Sequence, residues 1–231
     1  LGLMPGNSYF AFGAHSDPAV SVEGLDQNLL MLKELLKLED KDYAAFVEDI
    51  KGAAKLQDGQ AAFAVYPDGQ ALFGVSAVAG TTDGTVVVKL AKRLVLGIAL
   101  RLIEQEKAKD PTLAQQPQLA IVEKSLKEGK IQPILDAFGP MAAAAGINVT
   151  ANTTTADGVT CDVLDLRMDF AKLAGADPDA AQVQKVIGDR TAATLCSSKA
   201  KVSMAFGPGA LEHGKRMALA KAGGLSDAPV Y

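Results

Sequence analysis

Tyr66-Pro67-Asp68-Gly69-Gln70 lies between two stretches of alternating apolar residues and reads as the turn of a β-hairpin. Proline pre-sets φ for the first central position of a type I turn, aspartate tolerates the second, and glycine accepts the positive φ that follows. That pattern is a three-residue hairpin loop with a bulge. It sets Tyr66 opposite Gln70 and Phe63 opposite Phe73. One face then carries Ala61, Phe63, Val65, Ala71, Phe73 and Val75; the other carries Ala62, Ala64, Tyr66, Gln70, Leu72, Gly74 and Ser76. A two-residue Asp-Gly loop would shift the pairing by one and mix the faces, so the apolar pattern selects the longer loop. Phe63, Val65, Phe73 and Val75 are the bulkier set. They are expected to be buried beneath helices carrying Leu29, Leu32, Phe46 and Leu94.

Outward from the hairpin, residues 8–13 read as a strand. Leu25, Leu29, Leu32 and Leu36 mark a helix from Glu23 to Leu38, and Tyr43, Phe46, Val47 and Ile50 mark another after Asp40. Beyond the Gly80–Gly84 cluster, the longest helical pattern runs from about Thr85 to Lys109. Shorter helices follow near 117–128 and 130–145, the second closed by Gly146. A second hairpin, Ile147–Thr155 and Val159–Phe170, turns at Asp157-Gly158. On its second strand Leu164, Leu166, Met168 and Phe170 are expected inside, with Asp165, Arg167 and Asp169 on a wet face. A helix over roughly 178–197, a strand over Lys201–Phe206 and a helix over Gly209–Ala222 complete the chain. Hairpins dominate, so the fold class is α+β: a largely antiparallel sheet built from hairpins, with helices packed mainly on one face. One internal echo sets Ser8-Tyr9-Phe10-Ala11-Phe12-Gly13 beside Ser203-Met204-Ala205-Phe206-Gly207.

The 231 residues are read as a single α+β domain, 1–231, long enough for a substantial core. The chain opens at Leu1 rather than methionine, so it is expected to be a fragment of a longer chain, and the lack of a visible signal segment says nothing about targeting. With 23 basic and 27 acidic residues, the net charge of -4 offers no basic stripe for phosphates, and nucleic acid is not an expected partner. The run Leu94–Leu100 is cut off by Arg93 and Arg101, well short of the roughly 20 apolar residues that a membrane span needs.

The search for chemistry returns no catalytic, cofactor-binding or metal site. His15-Ser16-Asp17 holds the residue types of a triad, but adjacent side chains on an extended chain diverge. His213 has no second histidine four residues on, so it is taken as a surface residue, and no C-x-x-C occurs. Asp162 points opposite to Asp165 and Asp169, which bracket Arg167. Gly207-Pro208-Gly209 sits between a strand and a helix, where amides can bind phosphate, yet Pro208 removes a donor and a chain turn is favoured. Asn148-Val149-Thr150 and Asn152-Thr153-Thr154 fit the glycosylation sequon but fall in a strand. Cys161 and Cys196 form the one candidate disulfide. Bridged, they would tie a strand to a helix and contribute ~3–4 kcal/mol. Unbridged, they are two ordinary buried thiols.

Leu3-Met4-Pro5-Gly6-Asn7-Ser8 ahead of the first strand, and Gly223-Gly224-Leu225-Ser226-Asp227-Ala228-Pro229 at the close, carry a resemblance. The layout resembles a family of uncharacterised bacterial envelope proteins, often exported or lipid-anchored, built from repeated α+β modules. It departs from them in the Ala-rich middle, about 94–146. The resemblance implies a periplasmic or cell-envelope location and no known activity. The first functional reading is therefore a non-catalytic module with a structural or binding role and a protein or apolar small-molecule partner. The second is a carrier of an apolar ligand such as a lipid, since Leu90, Leu94, Ile98 and Leu102 share one helical line while Val95 and Leu100 lie elsewhere around it. The third is an enzyme whose site is assembled from scattered Asp, Glu, Lys or Tyr residues.

Overall fold

The computed structural model describes residues 8–15, 17, 29–31, 33–34, 37–69, 71–174 and 179–219. In chain order the elements are β1 (Phe10–His15), α1 (Asp40–Lys55), β2 (Gln57–Asp68), β3 (Ala71–Thr81), α2 (Gly84–Lys109), a 3-10 turn (Pro111–Gln115), α3 (Pro117–Glu128), α4 (Gln132–Ala144), β4 (Ile147–Ala156), β5 (Val159–Met168), α5 (Phe170–Ala174), α6 (Asp179–Ile187), β6 (Arg190–Ser197), β7 (Lys201–Gly207) and α7 (Ala210–Leu219). The strands form one antiparallel sheet in the order β1-β2-β3-β7-β6-β5-β4, so the fold is α+β. Residues 29–31 and 33–34 are helical ahead of α1, and Leu29 is buried. Leu25, Leu32 and Leu36 of the expected first helix lie outside the described residues, as do residues 3–7 and 223–229 of the segments that carry the family resemblance.

Local chemistry explains the best-bounded elements. The Asp83 carboxylate accepts the Val86 amide at 3.1 Å and starts α2, while Asp110 and Pro111 stop it. At the second hairpin, Asp157 and Gly158 take φ values of 54° and 75°, the two positive angles of a type I′ turn. In the first hairpin the ladder runs further than expected. Asp68 pairs with Ala71, and Phe63 lies opposite Ala77 rather than Phe73, with the irregularity between Tyr66 and Asp68. The displacement is even, so Phe63, Val65 and Val75 still share one side of the sheet.

The helix expected over 178–197 is corrected. Gly188, at φ 73°, ends the helical stretch after Ile187, and Arg190–Ser197 enters the sheet between β5 and β7. Ala192, Ala193 and Leu195 favour helix intrinsically, but pairing on both flanks overrides that preference. Cys161 and Cys196 consequently face each other across two neighbouring strands, Cα atoms 4.0 Å apart, with their sulfurs bonded.

The core lies on one side of the sheet, called here the first face. It is made of Ala62, Ala64, Tyr66, Val78, Val159, Cys161, Val163, Cys196 and Ala205, covered by Ala210, Met217 and Ala218 of α7. Helix and sheet approach closely because both contribute small residues. A Cβ on Gly214 would fall 2.8 Å from Thr194 Oγ1 and 2.9 Å from Cys196 Sγ. Three hydroxyls donate to carbonyls one turn apart along α7: Thr194 to Ala210 at 3.1 Å, Ser203 to Gly214 at 2.7 Å and Ser198 to Ala218 at 2.8 Å. The expected burial of Phe63, Val65, Phe73 and Val75 is therefore overturned. They are half-buried on the opposite side, because α7 selects the smaller set.

The expected wet face of β5 is also revised. Val159, Cys161 and Val163 point into the core, while Leu164 is exposed. The Asp165 side chain is only 13% exposed, because Arg190 grips it with two hydrogen bonds of 3.1 and 2.7 Å and Arg167 approaches to 3.9 Å.

Candidate functional site

The second face of the sheet is built of larger apolar side chains than the first and is less covered. Register places Phe12, Phe63, Ala77, Met204, Leu195, Asp162 and Thr153 side by side, one from each strand. The adjacent row is Phe10, Val65, Val75, Phe206, Ala193, Leu164 and Ala151. Phe10, Phe12 and Met204 are 52%, 55% and 60% exposed. The Phe63 ring lies 5.8 Å from the rings of both Phe10 and Phe12, so three aromatic groups form one cluster at the β1 edge. The two echoing segments of sequence, Phe10-Ala11-Phe12 and Met204-Ala205-Phe206, present equivalent pairs to this face. The first row is thus apolar from β1 to β6 and polar at β5 and β4.

Over the polar end of that row leans α2. Gly84 and Val88 are its buried residues. Leu94, Leu96, Ile98 and Leu100 are half-buried, and Val95 and Leu102 are exposed. On one flank α1 is held by the Arg93–Asp49 ion pair. On another flank α3 is held by Lys107–Glu123 at 2.7 Å. Between α1 and α2 is a hollow of about 510 Å³ that includes Phe46, Leu94 and Ile98. Between α2, α3 and the sheet is a cleft of about 910 Å³, with Val88, Leu96, Leu100 and Leu126 on its helical wall. Thr153, Thr160, Asp162 and Ser197 form its sheet wall. Lys92 crosses it to Asp162 at 2.5 Å, and Thr153 Oγ1 donates to the same carboxylate at 2.7 Å.

The first face carries a polar cluster where the first hairpin meets α7. Tyr66 is buried, and its ring centroid stands 4.4 Å from that of His213. Asp68 is also buried, and its Oδ2 accepts the Gly209 amide at 2.8 Å. The amide available at the Gly207-Pro208-Gly209 turn is thus capped by the chain's own carboxylate. Burial, and then the Asp68 charge, push the Tyr66 phenol far above its usual range. His213 is half-buried rather than a free surface residue. Burial and then the Arg216 charge lower its pKa. Arg216 Nη2 lies 3.2 Å from His213 Nδ1; because a guanidinium only donates, Nδ1 accepts. These contacts clamp β2 to α7.

The remaining sequence candidates stay apart. His15 ends β1 opposite Gln60, and Ser16 lies outside the described residues. Asp162 and Asp165 occupy opposite faces, and Asp169 meets Lys172 at 3.7 Å. Asn148 and Asn152 are exposed on β4 at the sheet edge. Among the described residues no group of three or more His, Cys, Asp or Glu side chains is placed to hold a metal ion, and no helix is long and apolar enough to cross a membrane. The less covered face is hard to read from the sequence because the larger side chains look like the buried set. The echo of Phe10-Ala11-Phe12 in Met204-Ala205-Phe206 is the one sequence feature that coincides with it. Comparison finds no matching family model, no similar curated protein and no solved structure that matches.

Proposed function

We propose that the chain is a non-catalytic binding module that takes an apolar ligand, such as a lipid acyl chain, on the second face of its sheet and in the cleft beneath α2. The observation that carries this reading is the pair of apolar rows, continuous across β1, β2, β3 and β7, which opens into a cleft of about 910 Å³. Contiguous exposed apolar surface costs free energy in water and marks interaction sites. A core helix would bury Leu94, Leu96 and Leu100 fully, whereas here they stay half-buried. The Cys161–Cys196 bridge suits an oxidising setting, which supports a cell-envelope location.

The test is titration with the uncharged fluorophore N-phenyl-1-naphthylamine. Saturable enhancement is expected for the wild-type protein and a severalfold weaker response for Met204→Asp and Phe12→Asp, both at exposed positions. A wild-type protein that gives no saturable signal, or variants that bind the probe as well as wild type does, would overturn the reading.

A further inference from the structure

Resting on that reading, we propose that the ligand is a long-chain fatty acid, its carboxylate held by Lys89 and Lys127 on the helical wall of the cleft. The cleft is lined by four cationic side chains, Lys89, Lys92, Arg93 and Lys127, and by two carboxylates, Asp162 and Glu128. Lys92 is matched by Asp162, Arg93 by Asp49 and Glu128 by Lys130. That pairing leaves Lys89 and Lys127, neither of which has a carboxylate partner among the described residues. Both are exposed, on different helices, and both border the same apolar wall. Unmatched cations beside apolar surface favour an anionic amphiphile over a neutral one, through charge complementarity at the head and burial of the chain. Lysine suits this arrangement, because its methylene stem lies along apolar surface while the ammonium stays at the rim.

The cleft has room for the chain. At about 910 Å³ it falls within the ~300–1,000 Å³ span of small-molecule sites and has the volume for a long chain. Val88, Leu96, Leu100 and Leu126 supply the methylene contacts. The hydroxyls of Thr160 and Ser197 on the facing wall offer further donors to a carboxylate. From there the first row leads past Leu195 and Met204 to Phe63, an apolar path for the chain end.

The experiment is competition against N-phenyl-1-naphthylamine on the delipidated chain at pH 8, with oleate, oleyl alcohol and dioleoyl phosphatidylglycerol. Oleate is expected to compete at least tenfold better than the alcohol of the same chain, and the Lys89→Gln/Lys127→Gln double variant to bring that ratio close to one. Lys185→Gln, on α6, should keep it. Equal competition by oleate and oleyl alcohol, or a preference that survives the double substitution, overturns the fatty-acid assignment while the apolar site stands. Stronger competition by the phospholipid overturns the single-chain assignment. Failure of the wild-type protein to bind the probe or any of the three overturns both readings.

Discussion

Replacing Gly214 by alanine tests how α7 is seated on the sheet. In a helix interior Gly→Ala normally stabilises by about 1 kcal/mol. Here the new methyl would lie 2.8 Å from Thr194 Oγ1 and 2.9 Å from Cys196 Sγ. Neither atom moves freely, since the sulfur is bonded to Cys161 and the hydroxyl donates to Ala210 at 3.1 Å. The helix must lift instead. Overpacking of this kind costs ~1–3 kcal/mol. Weakening the Ser203–Gly214 bond adds roughly 0.5–1.5 kcal/mol. Against the gain in propensity, the net loss is about 2 kcal/mol, large beside a total stability of roughly 5–15 kcal/mol. Gly97→Ala in α2 is the matched control, because a Cβ there meets nothing within 4 Å and should stabilise by ~0.5–1 kcal/mol. Urea unfolding of the two variants reads the signs directly, provided the m-values agree with wild type. A Gly214→Ala protein as stable as wild type would refute the close seating of α7.

Three further outcomes are expected. Removing the bridge with Cys161→Ala/Cys196→Ala should cost about 4 kcal/mol, the chain-entropy figure for a separation of 35 residues, and a urea-derived loss below ~1 kcal/mol would contradict it. Asp68→Ala should cost ~1–2 kcal/mol by uncapping Gly209, with Asp68→Asn losing less because it keeps an acceptor; equal losses in thermal unfolding would count against the cap. Burial and then Arg216 hold the His213 pKa below its usual 6.5, so the unfolded chain takes up the proton first, and the stability tied to neutral His213 is present above about pH 6.5 and lost as pH falls below it. His213→Gln should flatten that part of the stability profile between about pH 5 and 7.5, and parallel profiles for the two proteins would rule it out.

Backbone punctuation was legible in the sequence and tertiary selection was not. The Gly80–Gly84 cluster ahead of α2 and Asp157-Gly158 in the second hairpin act through chemistry confined to a few residues. β6 was hidden because Ala192, Ala193 and Leu195 read as helix until β5 and β7 are there to pair with. The alternation in the first hairpin was also visible, but its inward direction was not. Phe63 and Val65 look like core and Ala62 and Ala64 like filler, until Ala210, Gly214 and Ala218 turn a small-residue helix face toward the sheet. The candidate site follows from that inversion: the bulkier set is left on the outer side, where the rows from β1 to β7 only become contiguous through strands distant in sequence.

The strand order has a consequence for how the protein is made. The centre of the sheet is the β3–β7 pair, where Val75 meets Phe206, residues separated by more than half the chain. On a ribosome the β2–β3 and β4–β5 hairpins emerge first; β6 can then pair with β5, and until β7 follows, β3 and β6 each hold out an open row of amides and carbonyls. β7 then enters as a wedge between two half-sheets, a non-local and therefore slow closing step. Each nascent chain passes through a stage with two unpaired strand edges, the arrangement that favours pairing with other chains. A chain released before Lys201 would carry two unjoined halves, a substrate for aggregation or proteolysis rather than a smaller version of the fold.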